Sequence, residues 1–108
     1  MPIYTGPNSV YGRRHGVYCP GPGVGVKTAR CILNMIDREL RSGWTYDQKG
    51  RRIKMTPRLA VKRAVYMIAL ARKHHGREEA RRVAEIVRSW LAKRGLARAA
   101  ARELRRVH

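Results

Sequence analysis

The sequence predicts an all-α fold: three to four basic amphipathic helices behind an irregular N-terminal arm. Three observations carry that expectation. Residues 56–76 contain the longest uninterrupted apolar run, Ala64 to Ala71. Apolar residues also recur at spacings of three and four after Val26 and after Arg77, the period of one helix face. The first 25 residues are different, with six of the ten glycines, four of the five prolines and no acid. They show no periodic apolar face, so residues 1–25 are assigned to an extended Gly/Pro/Tyr-rich arm and 26–108 to a helical body.

In the arm, Tyr4, Tyr11 and Tyr18 fall seven residues apart around Arg13-Arg14-His15. Ordering a backbone costs about 1–2 kcal/mol per residue, and more at glycine. The arm offers too little apolar surface to offset that, so its order is expected to come from other molecules. Arg13 and Arg14 would meet phosphates, and the three tyrosines would bury their rings against neighbouring subunits or sugars.

Val26 to Ser42 reads as a helix stopped by Gly43. Val26, Ala29, Leu33, Ile36 and Leu40 form its apolar row. Lys27, Arg30, Asn34, Arg38 and Arg41 lie on a separate stripe, roughly 130° around. Trp44 to Met55 reads as a short hairpin or ordered loop turning at Lys49-Gly50, with Trp44, Tyr46 and Ile53 as strand-type residues. Its returning limb carries Arg51, Arg52 and Lys54.

The central helix starts with Thr56 as N-cap and Pro57 at the first helical position, where a missing N–H costs nothing. Its rows are Ala60, Ala64, Met67, Ala71 and Val61, Val65, Ile68. Arg58, Lys62 and Lys73 face outward, and Gly76 stops it. A helix this apolar needs cover from other elements. From Arg77 to Arg94 a further helix has Glu78 and Glu79 in its first turn and Lys93-Arg94 in its last, matching the helix dipole. Ala80, Val83, Ala84, Val87, Trp90 and Leu91 make its inner face, leaving Arg81 and Arg88 outside. After Gly95, helical spacing resumes with Ala97, Ala100, Leu104 and Val107 inward and Arg98, Arg102, Arg105 and Arg106 outward.

The chain carries 25 Lys and Arg, 19 of them Arg, against 7 acids, for a net charge of +18. Self-repulsion on that scale opposes compaction unless a polyanion neutralises it. The planar guanidinium fork suits phosphate oxygens, which makes nucleic acid the leading partner. Cations on every segment suit coating a backbone better than reading bases. Candidate contacts are therefore Arg13, Arg14, Lys27, Arg30, Arg38, Arg41, Arg51, Arg52, Lys54, Arg58, Lys62, Lys73, Arg81, Arg88, Arg98 and Arg102. Tyr4, Tyr11, Tyr18, Trp44 and Trp90 are the candidate subunit contacts.

Other chemistry finds little footing. Gly21-Pro22-Gly23-Val24-Gly25-Val26-Lys27-Thr28 resembles a P-loop, but Val26 stands where that motif requires glycine before the lysine. The uncapped start of that helix would nonetheless attract an anion. His15, Cys19, Cys31, His74 and His75 match no standard zinc spacing, so no metal or other cofactor is expected. The acids sit mostly three or four residues from an arginine, as solvated helix pairs do, and no catalytic set emerges. No enzyme activity and no small-molecule substrate are expected. Cys19 and Cys31 could form one disulfide, but are read as free thiols. No run approaches the roughly 18 apolar residues of a membrane span, and no signal peptide is visible, so a cytoplasmic start is expected. Asn and Gln total only three, which hints at a hot-living source. The junction at His75-Gly76-Arg77 reads as a packed antiparallel helix pair rather than a DNA-reading helix-turn-helix, because Glu78-Glu79 would repel phosphates.

As an architecture, the Gly/Pro/Tyr arm followed by basic amphipathic helices resembles the small helical capsid or nucleocapsid proteins of filamentous viruses of hyperthermophilic archaea. That resemblance implies wrapping of A-form double-stranded DNA in a helical filament, by one subunit or two related ones. It also implies residence in a virion assembled in the host cytoplasm. The alternatives are a small ribosomal or other RNA-binding protein of a thermophilic archaeon, and a dimeric helix-turn-helix regulator.

Overall fold

A computed structural model describes residues 2–106. Its order is α1 (Val10–His15), α2 (Val26–Ser42), β1 (Trp44–Tyr46), β2 (Arg52–Lys54), α3 (Pro57–Lys93) and α4 (Ala97–Arg106). The protein is mostly helical but not purely all-α, because β1 and β2 pair antiparallel with Trp44 opposite Lys54 and Tyr46 opposite Arg52. The inward assignment of Val107 lies outside the described residues.

α2 ends as its sequence dictates, with Gly43 at φ 84° accepting the left-handed turn. α3 opens on Thr56, whose side chain accepts the Leu59 N–H, with Pro57 in the first turn. A straight helix of its 37 residues would run about 55 Å at 1.5 Å per residue, yet the molecule is only 33 Å in its longest dimension. The chain folds back at Gly76, whose φ of 86° interrupts the helix. α3 is thus two limbs on either side of Gly76. Ala60, Ala64, Ile68 and Ala71 of the first and Ala80, Val83, Val87 and Leu91 of the second are buried together with Ile32, Leu33 and Ile36 of α2.

The arm overturns the expectation of order imposed from outside. Tyr4, Val10, Cys19 and Val24 are buried in the core. The segment folds on itself: Val10 N–H donates to the Pro2 carbonyl, and Cys19 N–H to that of Tyr4. Ser9 caps the six-residue α1 by accepting from the Gly12 N–H, and Gly16 ends it at φ 67°. Glycine is required at position 12, where a Cβ would sit 2.5 Å from the Pro7 carbonyl oxygen.

The cysteines are not free thiols. Cys19 and Cys31 form a disulfide that pins the arm to α2. Cys19 is fully buried, with its sulfur 3.4 Å from that of Met35. Closing a loop with a sequence separation of 12 should stabilise the fold by about 2–3 kcal/mol through lost unfolded-state entropy. Cys19→Ala/Cys31→Ala should lower the denaturant-derived stability by that order. Oxidised wild-type protein without nucleic acid should resist tryptic cleavage at Arg13 and Arg14, and the double variant should be trimmed there faster.

Candidate nucleic-acid interface

The surface is positioned from inside by one polar cluster. Glu39, on the core side of α2, is 3% exposed. It accepts hydrogen bonds from the Tyr4 and Tyr11 hydroxyls, each at 2.6 Å, and from the Thr45 hydroxyl. Arg63 of α3 donates to Tyr4 Oη at 2.9 Å, to Thr45 Oγ1 at 2.6 Å and to the Tyr46 carbonyl at 2.7 Å. Its guanidinium lies 4.0 Å from the Glu39 carboxylate, so the hydroxyls bridge the two charges. No buried side-chain nitrogen or oxygen among the described residues lacks a partner. Burial raises the pKa values of Tyr4 and Tyr11, reinforced by the Glu39 carboxylate, and both remain neutral donors.

Asp37, three or four residues from an arginine like most of the acids, is not a solvated helix pair, and Glu39, which has no arginine at that spacing, is not solvated either. Glu39 belongs to this cluster. Asp37 accepts from Arg94 Nε at 2.6 Å, from Arg94 Nη2, and from Trp90 Nε1 at 3.3 Å. Trp90 is consequently a core residue under a stacked Arg94 and presents no free ring to a second subunit. Tyr4 and Tyr11 are likewise engaged internally, their rings stacked at 5.9 Å. Of the five aromatic residues expected at subunit contacts, Tyr18 and Trp44 are exposed.

Every arginine and lysine assigned to phosphate contact is exposed, and several converge. Arg58 and Lys62 of α3 face Arg102 and Arg106 of α4 across a groove in which Glu103 is the one acid. Each pair sits at i,i+4, and none of the four is ion-paired among the described residues. Like-charge pairs at that spacing destabilise a helix by roughly 0.2–0.5 kcal/mol, which an anion in the groove would relieve. Between the α3 limbs, Arg72, Arg77, Arg81 and Arg88 border a second groove floored by Ile68, Ala80 and Ala84. A third concavity gathers Lys27, Arg30 and His75 at the start of α2, where Gly25 provides no side-chain cap. Glu79 also lines it and offsets part of that charge.

The hairpin end of the molecule holds Arg14, which donates to the Gly50 carbonyl, with Arg51, Arg52 and Lys54. Asp47 turns the loop: its Oδ1 accepts from the backbone N–H groups of Lys49 and Arg51, and its Oδ2 pairs with Arg51 at 2.8 Å. The Arg51 N–H, more than any other contact, holds that carboxyl below the usual carboxylate range. Arg13, Arg38, Arg41, Lys73 and Arg98 are exposed outside these groupings. Arg72, Arg77 and Arg106 were missed, although the recurrence of Arg77, Arg81 and Arg88 within a 40° arc, at 100° per residue, was available as a signal. The buried role of Arg63 had no local signature.

Among the described residues, no group of three or more His, Cys, Asp or Glu side chains could hold a metal, and no helix is long and apolar enough to cross a membrane. Comparison with protein-family models, characterised proteins and solved structures returns no match to this chain.

Glu39→Ala should destabilise the protein by about 3–5 kcal/mol in denaturant titration, because it leaves the largely buried Arg63 without its counter-charge and three hydroxyl donors without their acceptor. The tyrosines add a pH signature. Their folded-state pKa values lie above the ordinary value of about 10, so above that pH the unfolded chain binds fewer protons than the folded one. Their contribution to stability should be intact below about pH 10 and be lost progressively above it. Tyr11→Phe should reduce that alkaline slope.

Proposed function

We propose that the protein is a structural nucleic-acid-binding subunit that coats and condenses double-stranded DNA through its phosphates, without reading base sequence. The observation that supports this best is the α3–α4 groove, where two i,i+4 cation pairs without an ion pair among the described residues face each other. Such an arrangement raises the energy of the free protein and lowers that of an anion complex. Arginine grooves elsewhere allow one molecule to touch more than one duplex, which is what condensation requires. Glu79 lies roughly 200° around the helix from Arg77, so the second and third concavities open on different sides of that limb. Because Tyr4 and Tyr11 are engaged inside the fold, subunit contacts in a filament would come from exposed surface such as Tyr18. Virion coat assembly is the extended form of this reading.

Neutralising 6–10 phosphates per subunit should lower duplex affinity by about 10³ to 10⁵ between 50 and 200 mM salt. Replacing Arg58, Lys62 and Arg102 with Gln should reduce the slope of log affinity against log salt by about 2–3, at about 0.9 per lost phosphate contact. Helicity should be preserved. A salt-independent affinity, or one DNA site hundreds of times tighter than random duplex, would overturn the proposal. Electron micrographs of protein mixed with duplex should show regular filaments if the coat form holds.

A further inference from the structure

The hairpin carries a feature that phosphate contact leaves unused. Antiparallel register places Trp44, Tyr46, Arg52 and Lys54 on one face and turns Thr45 and Ile53 to the other. Thr45 is buried on Glu39, and on the opposite face Trp44, Arg52 and Lys54 are exposed while Tyr46 packs against Tyr11. Trp44 is 48% exposed, whereas Trp90 is buried.

Resting on the nucleic-acid reading above, we propose that this hairpin face is a stacking platform for unpaired nucleobases. The protein would then hold single-stranded nucleic acid there while gripping duplex backbone elsewhere. A lone exposed aromatic is ordinary on a protein surface, and the surroundings of Trp44 set it apart. The Arg52 guanidinium lies 4.3 Å from the Trp44 ring centroid and covers one face of it. Trp44 is 48% exposed with that cation in place, which leaves ring surface for a flat partner. The support beneath is stiff. Tyr46 meets Tyr11 edge-on at 5.3 Å, its hydroxyl is 2.9 Å from His15 Nε2, and its carbonyl accepts from Arg63. A ring held on a rigid strand loses little freedom when a base stacks on it.

Charge identifies the occupant. Arg14, Arg52 and Lys54 are exposed at this end of the hairpin, and the hairpin's own acid, Asp47, is already engaged by Arg51. A strand of unpaired nucleotides offers both complements: a π-face for Trp44 and phosphates for the cations. An acidic peptide supplies charge but need not supply a ring. In a duplex the base faces are already stacked on one another, so Trp44 has nothing to stack on. Because every base has a π-face, this contact tolerates any sequence.

The test uses the full-length oxidised protein, titrated at fixed salt with oligo-dT and with a blunt DNA duplex of equal phosphate number, following tryptophan fluorescence. Oligo-dT should quench the accessible tryptophan, while the duplex should bind with little quenching. Trp44→Leu should weaken oligo-dT binding at least about fivefold, with duplex affinity changed less than about twofold, and Trp44→Phe should restore most of the loss. Unchanged oligo-dT affinity in Trp44→Leu, equal losses for strand and duplex, or equal quenching by poly-glutamate would each overturn the proposal. If Trp44→Leu does not fold, the wild-type titration still decides, because no strand-specific quenching overturns it. Absence of salt-dependent binding to either DNA would instead refute the parent reading of nucleic-acid binding.

Discussion

Burying a carboxylate against a guanidinium is favourable only when nearly every lone pair and N–H finds a partner, and the Glu39–Arg63 cluster meets that condition with residues from four parts of the chain. Tyr4 and Tyr11 come from the N-terminal segment, Glu39 from α2, Thr45 and Tyr46 from the hairpin, and Arg63 from α3. The two charges do not touch closely; hydroxyls between them carry the contact. Displacing any one segment would leave the others with unsatisfied buried groups. The cluster therefore fixes the hairpin relative to the helices, and with it the direction in which Trp44, Arg52 and Lys54 face.

Much of the helical body was legible from the sequence because its signals are local. Gly43 ends α2 and Thr56-Pro57 opens α3 at the residues their chemistry favours. The apolar rows of α3 are the buried ones, and the break at Gly76 marks the place where its limbs fold back. The hairpin was legible in outline from Trp44, Tyr46 and Ile53. The arm was misread because what holds it is not local. Glycine and proline content describes the entropy to be overcome, but not the disulfide to Cys31 or the hydroxyl contacts to a carboxylate 28 and 35 residues away. Tyr4 and Tyr11 fall seven apart because they meet on one acid, a pattern with no helical or strand period behind it. Glu39 did leave a trace, because Ile32, Met35 and Ile36 precede it on one helix face and no arginine stands three or four residues away, but its hydroxyl partners lie outside its own helix.

The same internal pairing shapes the exterior. Glu39, Asp37, Asp47 and Glu79 are each matched to an arginine within the chain. Glu78, Glu85 and Glu103 are outnumbered by exposed arginines and lysines, so the outside is predominantly positive across several grooves rather than in one patch. A surface of that kind attracts a polyanion from many directions and does little to orient it. That suits coverage of a backbone better than recognition of a single site.

The position of Tyr4 also has a consequence for how the protein is made. Tyr4 is synthesised 59 residues ahead of its partner Arg63. At about 5–20 residues per second, that is a wait of roughly 3–12 seconds during which the N-terminal segment has no complete binding surface. Contacts of such long sequence separation also carry a larger loop-closure cost than the local helices do. The segment that carries Tyr4 therefore depends on an element made well after it.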